Sequence, residues 1–411
     1  MQIYYKQYRM MSKFRQIIEA STKSDSIKRE ILRLFSLKGN SCISDISKEL
    51  NLSVPTITKF ILELIEDGYV LDFGKQDTAG GRRPNVFGLN PDAGYFIGIT
   101  IKKHSLSLGV INFNGKNLIA QARIEFKQAN TPESLDELCH AIDSFIKKNG
   151  LPKDKIAGIA INISGRVNAS SGYSYSCYNF NEEPLTDILE RKLGYKVFID
   201  NDSRAMCYGE YICGNITNEK NIIFINVSRG LGMGLIIDGK LYYGHSGFSG
   251  EFGHTPSYNN EIFCHCGKKG CLETEASGAA IHRILLEKHN LGERSILSKM
   301  IEKNIDIKIE DLVNAINKED ILMIDILEQI ATNLGKGIAG LVNIFNPELI
   351  IIGGSLANTG DYLLLPIKST VRKYSLNLVN KDSEIRLSSL GEEGGLIGAC
   401  LIARNRILGL L

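Results

Sequence analysis

Three cysteines fall within eight residues, in the run Cys264-His265-Cys266-Gly267-Lys268-Lys269-Gly270-Cys271, and His254 precedes them closely. Thiolates at this spacing with an imidazole nearby make a closed Cys₃His set for a tetrahedral zinc ion. Gly267 and Gly270 let the backbone turn tightly round such an ion. The expected ligands are His254, Cys264, Cys266 and Cys271. His265 competes with His254 for the fourth place, although a side chain squeezed between two ligating cysteines tends to point away. With all four positions filled, the zinc is structural rather than catalytic. A free-thiol or redox cluster is the other chemistry open to these residues. The remaining cysteines (Cys42, Cys139, Cys177, Cys207, Cys213 and Cys400) are scattered, as reduced, buried thiols usually are.

The front of the chain has a different texture. Ile27, Ile31, Leu34 and Phe35 recur at helical spacing over 26–38, and Gly39-Asn40 breaks the pattern. A short helix is expected at 44–50, with Ile43, Ile46 and Leu50 on one face and Ser44 as its N-cap. After the Asn51-Leu52 turn, Ser53 caps a third helix whose inner face is Val54, Ile57, Ile61 and Leu64, and Gly68 ends it. Two β-like runs, Tyr69–Phe73 and Val86–Leu89, flank a Gly-rich loop that carries Arg82 and Arg83. Three helices and a hairpin make a winged helix-turn-helix. In that motif the third helix enters the major groove N-terminal end first. Ser53, Thr56, Thr58 and Lys59 occupy that end, while Arg82 and Arg83 can reach phosphate or the minor groove. Residues 1–90 carry 14 Lys+Arg against 10 Asp+Glu, and the rest of the chain 34 against 36. A mildly basic front on a neutral body fits nucleic-acid contact but does not demand it.

From Pro91 onward strands and helices alternate, the pattern of α/β layers. Strands are expected at 96–101, 106–112, 118–124, 156–163, 197–199, 222–227, 234–237 and 349–352. Helices are expected at 135–148, 185–193 and through 320–343. No stretch approaches the roughly 18 uninterrupted apolar residues of a membrane span. Met1–Phe14 lacks the apolar core of a signal peptide. A cytoplasmic location without membrane insertion is the expectation.

The run Gly250-Glu251-Phe252-Gly253-His254 followed by Cys-x-Cys-Gly-x-x-Gly-Cys-Leu-Glu273 resembles the ROK family of repressors, open reading frames and sugar kinases. Gly80-Gly-Arg-Arg-Pro84 resembles the wing of its transcriptional repressor branch. Ser164-Gly165-Arg166-Val167 resembles its sugar-side loop, Asn201-Asp202 its Asn-Asp pair, and 343–354 (NIFNPELIIIGG) its C-terminal core segment. The resemblance implies a winged helix-turn-helix followed by a two-lobed, actin- and hexokinase-like body of ribonuclease H-like α/β lobes. The expected divisions are 22–90 for the winged helix, 91–200 with the C-terminal helix 394–411 for a small lobe, and 201–393 for a large lobe. It further implies sugar contacts from Asn201, Asp202, Glu251, His254 and Glu273, with Gly165 and Asn179 as further ones. Carboxylates, amides and imidazole are the donors and acceptors that hexose hydroxyls need. Taken alone, Asn201-Asp202 reads as a helix cap.

The chain departs from the family where the kinases hold ATP. Their first phosphate loop reads Gly-x-Asp-x-Gly-Gly-Thr; here the residues are Gly98-Ile99-Thr100-Ile101-Lys102-Lys103-His104. The second reads Gly-Thr-Gly-x-Gly-Gly-Gly; here it is Ser228-Arg229-Gly230-Leu231-Gly232-Met233-Gly234. Without a carboxylate at Thr100, Mg²⁺ has little to hold it. The expectation is therefore a non-enzymatic repressor that uses no ATP. It would be a homodimer or dimer of dimers on a palindromic operator, answering to a sugar or sugar derivative, or to a transporter component. The alternative is a sugar kinase with an attached DNA-binding head, in which Asp202 is the general base.

Overall fold

The computed structural model describes residues 14, 16–75, 84–115 and 118–411. Arg82 and Arg83 lie outside the described residues. The chain divides into two compact units, 1–200 with 399–411, and 201–398.

The first unit opens with the expected winged helix. Its three helices are Lys23–Lys38, Ile43–Leu50 and Val54–Glu66. Thr22 and Ser53 cap the first and third through side-chain oxygens that accept from Asp25 N and Thr56 N. The second helix corrects the expected cap. Its N-cap is Cys42 rather than Ser44, because Ser41–Cys42 forms a short strand β1, whose pairing holds the chain extended up to Ile43. That strand pairs with β3 (Asn85–Leu89), which also pairs antiparallel with β2 (Val70–Lys75), giving a three-stranded sheet. The core face of the third helix is corrected too. Ile57, Phe60, Ile61 and Leu64 are buried, whereas Val54 is 51% exposed. Spacing of 0, 3, 4 and 7 residues keeps one helical face inward, and Val54 lies in the first turn, short of the core.

The rest of this unit is a five-stranded sheet in the order β10-β7-β4-β5-β6. Its strands are β4 (Tyr95–Lys102), β5 (Ser105–Asn112), β6 (Leu118–Glu125), β7 (Ile156–Ile163) and β10 (Val197–Asn201). β4, β5 and β6 form an antiparallel meander, and β7 joins β4 in parallel. Every residue of β7 is buried, as expected of a strand covered on both faces. The helices Pro132–Lys148 and Leu185–Leu193 supply Leu138, Ile142, Ile188 and Leu189 to the same core. Between β7 and the second helix, the short strands β8 (Val167–Asn168) and β9 (Tyr173–Ser174) pair antiparallel.

The second unit repeats the plan. Its sheet runs β13-β12-β11-β14-β15, from β11 (Ile222–Val227), β12 (Leu231–Ile237), β13 (Lys240–Leu241), β14 (Leu349–Gly353) and β15 (Glu384–Leu387). Again the first three strands form an antiparallel meander and the fourth joins the first in parallel. The helix Ile321–Phe345, capped by Asp320, buries Ile326, Leu327, Ile330, Leu334 and Ile338 in this core. At Gly337 a Cβ would stand 2.8 Å from Leu272 and 2.9 Å from the Phe252 ring, so the bare glycine seats the loop that carries the cysteines. The last helix, Glu393–Ile407, returns to the first unit from residue 399 onward. Among the described residues no helix is long and apolar enough to cross a membrane.

Candidate functional sites

The cysteine loop is built on backbone pairing. Pro256 bridges Cys271 and Phe263 bridges Lys269. Cys264 N donates to Lys268 O at 2.8 Å, and Gly267 N returns to Cys264 O at 2.9 Å. Gly270 has φ +73°, and a Cβ there would lie 2.1 Å from Tyr258 O, so only glycine lets the strands approach this closely.

Ligand atoms of His254, Cys264, Cys266 and Cys271 all lie within 4.8 Å of one another, a cluster that could hold a metal ion. The Cys266 and Cys271 sulfurs are 3.7 Å apart, and His254 Nδ1 is 3.5 Å from Cys264 Sγ. A disulfide would need about 2.05 Å. Two sulfurs each about 2.3 Å from a tetrahedral ion stand roughly 3.8 Å apart, so these donors fit a zinc-sized ion. Burial pushes the Cys264 thiol up to about 12, and burial raises Cys271 as well. At Cys266 burial also opposes ionisation, but the Lys268 backbone N–H, the neighbouring thiols and the Lys268 charge bring its pKa below the ordinary value. Cys264, His265 and Glu273 form a second, overlapping group. The His265 side chain is 71% exposed, yet its Nδ1 lies 2.9 Å from Glu273 Oε1.

The second unit gathers five of the seven residues expected to meet sugar. His254 turns Nδ1 to Cys264, while Nε2 faces Glu251 Oε2 at 3.8 Å. Buried Glu273 accepts the Leu231 backbone N–H at 2.8 Å. Asn201 is the N-cap of the helix Asp202–Cys213, its Oδ1 accepting from Ser203 and Arg204 backbone N–H groups. Asp202 Oδ1 accepts from Ser203 N at 2.8 Å. That helix start and Glu273 both meet the beginning of β12, Glu273 at Leu231 and Ser203 beside Gly232. In the first unit Gly165 leaves the end of β7 with φ +95°, and Asn179 is locked by a reciprocal pair with Asn130 at 2.6 and 2.9 Å.

Several polar residues around these groups escaped the sequence reading. Arg204 is buried and donates from Nη1 to Gly247 O at 2.9 Å. Asn226 donates to Ser203 Oγ at 3.0 Å and accepts from Ser228 Oγ at 2.9 Å. An asparagine in the apolar run Ile-Ile-Phe-Ile-Asn-Val was a visible signal. Nothing in the sequence pointed to Asn130, which lies 49 residues from its partner.

The two loops that resemble phosphate loops are closed locally. Lys102 pairs with Ser105, leaving only Lys103 and His104 in the β4–β5 turn. Thr100, paired with both Ser107 and Asn162, is buried, and its Oγ1 has no hydrogen-bond partner among the described residues. In the second loop Ser228 N donates to Gly230 O and Leu231 N to Glu273, while Ser228 O and Arg229 O accept from Gly278 and Ala279. Ser228 Oγ also takes the Ser355 N–H at 3.0 Å.

At the front of the third helix Ser53 Oγ lies 2.8 Å from Thr56 Oγ1, and Thr58 Oγ1 donates to Val54 O at 2.9 Å. Ser53 and Lys59 are exposed, Thr56 and Thr58 half-buried. Exposed Val54 and Leu62 share a shallow surface with Thr58 and Lys59.

Residues 96–406 match the model of the ROK family, and residues 24–70 match a winged helix-turn-helix DNA-binding model. The chain is 31% identical over 386 residues to the xylose repressor of Caldicellulosiruptor bescii, covering 92% of this chain and 96% of that protein. It is 27% identical over 384 residues to the DNA-binding transcriptional dual regulator NagC of Escherichia coli K12, covering 93% of each. Among solved structures it is similar to a ROK family transcriptional regulator homologous to the E. coli MLC protein, with TM-score 0.77 and 28% identity. That match covers 93% of this chain and 96% of the other.

Proposed function

The chain belongs to the ROK family, and on that premise we propose that it is a sugar-responsive, DNA-binding transcriptional repressor of carbohydrate metabolism. The observation that carries this reading is the winged helix-turn-helix at 24–70 on the same chain as the ROK body at 96–406. Relatives that match over both parts are named as repressors or regulators.

In this reading the third helix reads the operator through Ser53, Thr56, Thr58 and Lys59, and Arg82 and Arg83 hold phosphate or the minor groove. One winged helix reads only a half-site, so a homodimer, or a dimer of dimers, matches a two-fold operator. The effector is a sugar or sugar derivative, and Asn201, Asp202, Glu251, His254 and Glu273 are its candidate contacts, with Gly165 and Asn179 as the further ones. A transporter component acting on the same protein is the further regulatory route. A ligand that prefers one conformation shifts the population bound to DNA. The protein works in the cytoplasm, with domains divided at 22–90, 91–200 with 394–411, and 201–393.

His254, Cys264, Cys266 and Cys271 would hold a structural zinc ion. The 3.7 Å sulfur separation supports this set, and three thiolates suit zinc better than the mixed Cys264-His265-Glu273 group. Zinc on Nδ1 would fix the imidazole so that Nε2 meets a sugar hydroxyl beside Glu251. The protein uses no ATP. Thr100 stands where a carboxylate would hold Mg²⁺, and the backbone N–H groups of Ser228 and Leu231 are already spent within the protein.

The deciding experiment is binding of the purified protein to DNA upstream of its own gene, at physiological salt, with and without hexoses, pentoses and amino sugars. Selective binding that one sugar changes supports the proposal and names the effector. Absence of selective binding under all conditions overturns it.

A further inference from the structure

The loop that leaves β7 is stapled to the residues after β9. Arg166 N donates to Ser176 Oγ at 3.0 Å, and Tyr175 N donates to Arg166 O at 2.9 Å. The next contact runs from the other side, where Asn179 Nδ2 donates to Tyr175 O at 3.2 Å. The backbone of Tyr175 is therefore fixed at both its N–H and its C=O. Its two anchors belong to the turns of Gly165 and Asn179, the sugar candidates of this unit. Gly165 is shaped by the same contact, because a Cβ there would lie 2.5 Å from Ser176 Oγ.

The ring has a neighbour of its own. It stacks on Tyr173 with centroids 6.3 Å apart and planes 28° from parallel. Tyr173 is in turn tied by its hydroxyl, which donates to Glu182 O at 3.1 Å. Yet 48% of Tyr175 remains exposed. A half-exposed ring on an anchored backbone loses less entropy when a ligand settles on it than one on a free loop.

We propose that Tyr175 is a sugar-stacking platform that selects pyranoses presenting a flat C–H face. This rests on the sugar-binding reading above. An aromatic face carries the negative side of a quadrupole, and C–H bonds carry slight positive charge. A pyranose with equatorial hydroxyls offers several axial C–H groups on one face. An axial hydroxyl on that face would break the contact and lose water without gaining a hydrogen bond. Within this unit the Gly165 and Asn179 turns hold the Tyr175 backbone, and the Tyr175 ring reads the shape of the sugar ring.

The test is calorimetric titration of the full chain, its Tyr175→Phe variant and its Tyr175→Ala variant. The probes are D-xylose, D-glucose, N-acetyl-D-glucosamine, D-mannose and D-galactose. Wild type is expected to favour equatorial sugars. Tyr175→Phe is expected to keep the affinity within about threefold, because the ring face remains. Tyr175→Ala is expected to lose about tenfold or more and to narrow the gap between epimers, with the sugar-free melting temperature as the folding control. Equal affinity of the Ala variant and wild type would overturn the platform while leaving the sugar reading intact. Equal losses in the Phe and Ala variants would assign the effect to the hydroxyl and also overturn it. If wild type binds none of the five sugars, both the platform and the sugar reading fall.

Discussion

The ring of Phe14 lies 5.5 Å from that of Tyr69. Tyr69 directly follows the third helix of the winged domain. Phe14 also meets Phe113 edge-on at 5.3 Å, and Phe113 stacks on Phe96 of β4. Within one unit, therefore, a residue ahead of the helix-turn-helix is inserted between the DNA-reading domain and the first sheet. Asn90 braces the same joint, donating to Gly68 O at 2.7 Å and to Tyr69 O at 2.9 Å. Arg404 closes it from the last helix through Phe113 O at 3.0 Å.

Phe14→Ala should cost about 3–5 kcal/mol, because a buried aromatic leaves a cavity behind. Urea denaturation of the variant checks this. A loss below about 1 kcal/mol would show that the joint can collapse round the gap.

With the proposed zinc in the Cys₃His set, Cys266→Ser should release it and lower the melting temperature, since metal binding and local folding are linked. Elemental analysis of the purified variant reads the first effect and calorimetry the second. Full metal occupancy in the variant would remove Cys266 from the ligand set.

Lys59→Ala should weaken operator binding and reduce the slope of log K against log salt by about 0.9 if it meets one phosphate. Arg82→Ala combined with Arg83→Ala should lower the slope by about twice that. Fluorescence anisotropy across a salt series measures both. An unchanged slope in the double variant would take the wing out of the interface.

ATP consumption should stay at background with every sugar tried. Thr100 offers no carboxylate to Mg²⁺, and in the second loop the Ser228 and Leu231 N–H groups already donate within the protein. Turnover that vanishes in Asp202→Ala would restore the kinase alternative, with Asp202 as base.

Alkaline pH should destabilise the fold above the ordinary thiol range. Burial raises Cys139 to about 11 and Cys177 and Cys400 to about 12, from 9.0. Unfolded thiols ionise first, so this contribution is complete below about pH 9 and is lost as pH climbs through the folded values. Melting temperature should fall between pH 9 and pH 12. The fall should be shallower in Cys400→Ala than in wild type.

Short-range chemistry made much of this protein legible in its sequence. The Cys₃His spacing brought four ligand atoms within reach of one another without any knowledge of the fold. Helical periodicity placed Leu185–Leu193 as found, and Ser53 was readable as a cap because its partner Thr56 lies three residues away. These features depend on neighbours along the chain, where spacing alone determines geometry. What only the tertiary structure decided depends on contacts across long stretches of sequence. Cys42 displaced Ser44 as a cap because a strand more than forty residues later pairs with it. Phe60 took the core place expected for Val54 because the winged domain's other elements cover that face. Glu273 reaches Leu231, Asn130 locks Asn179, and Phe14 wedges against Tyr69 and Phe113. Residue type states which contacts a side chain can make; packing selects which of the many compatible groups it meets.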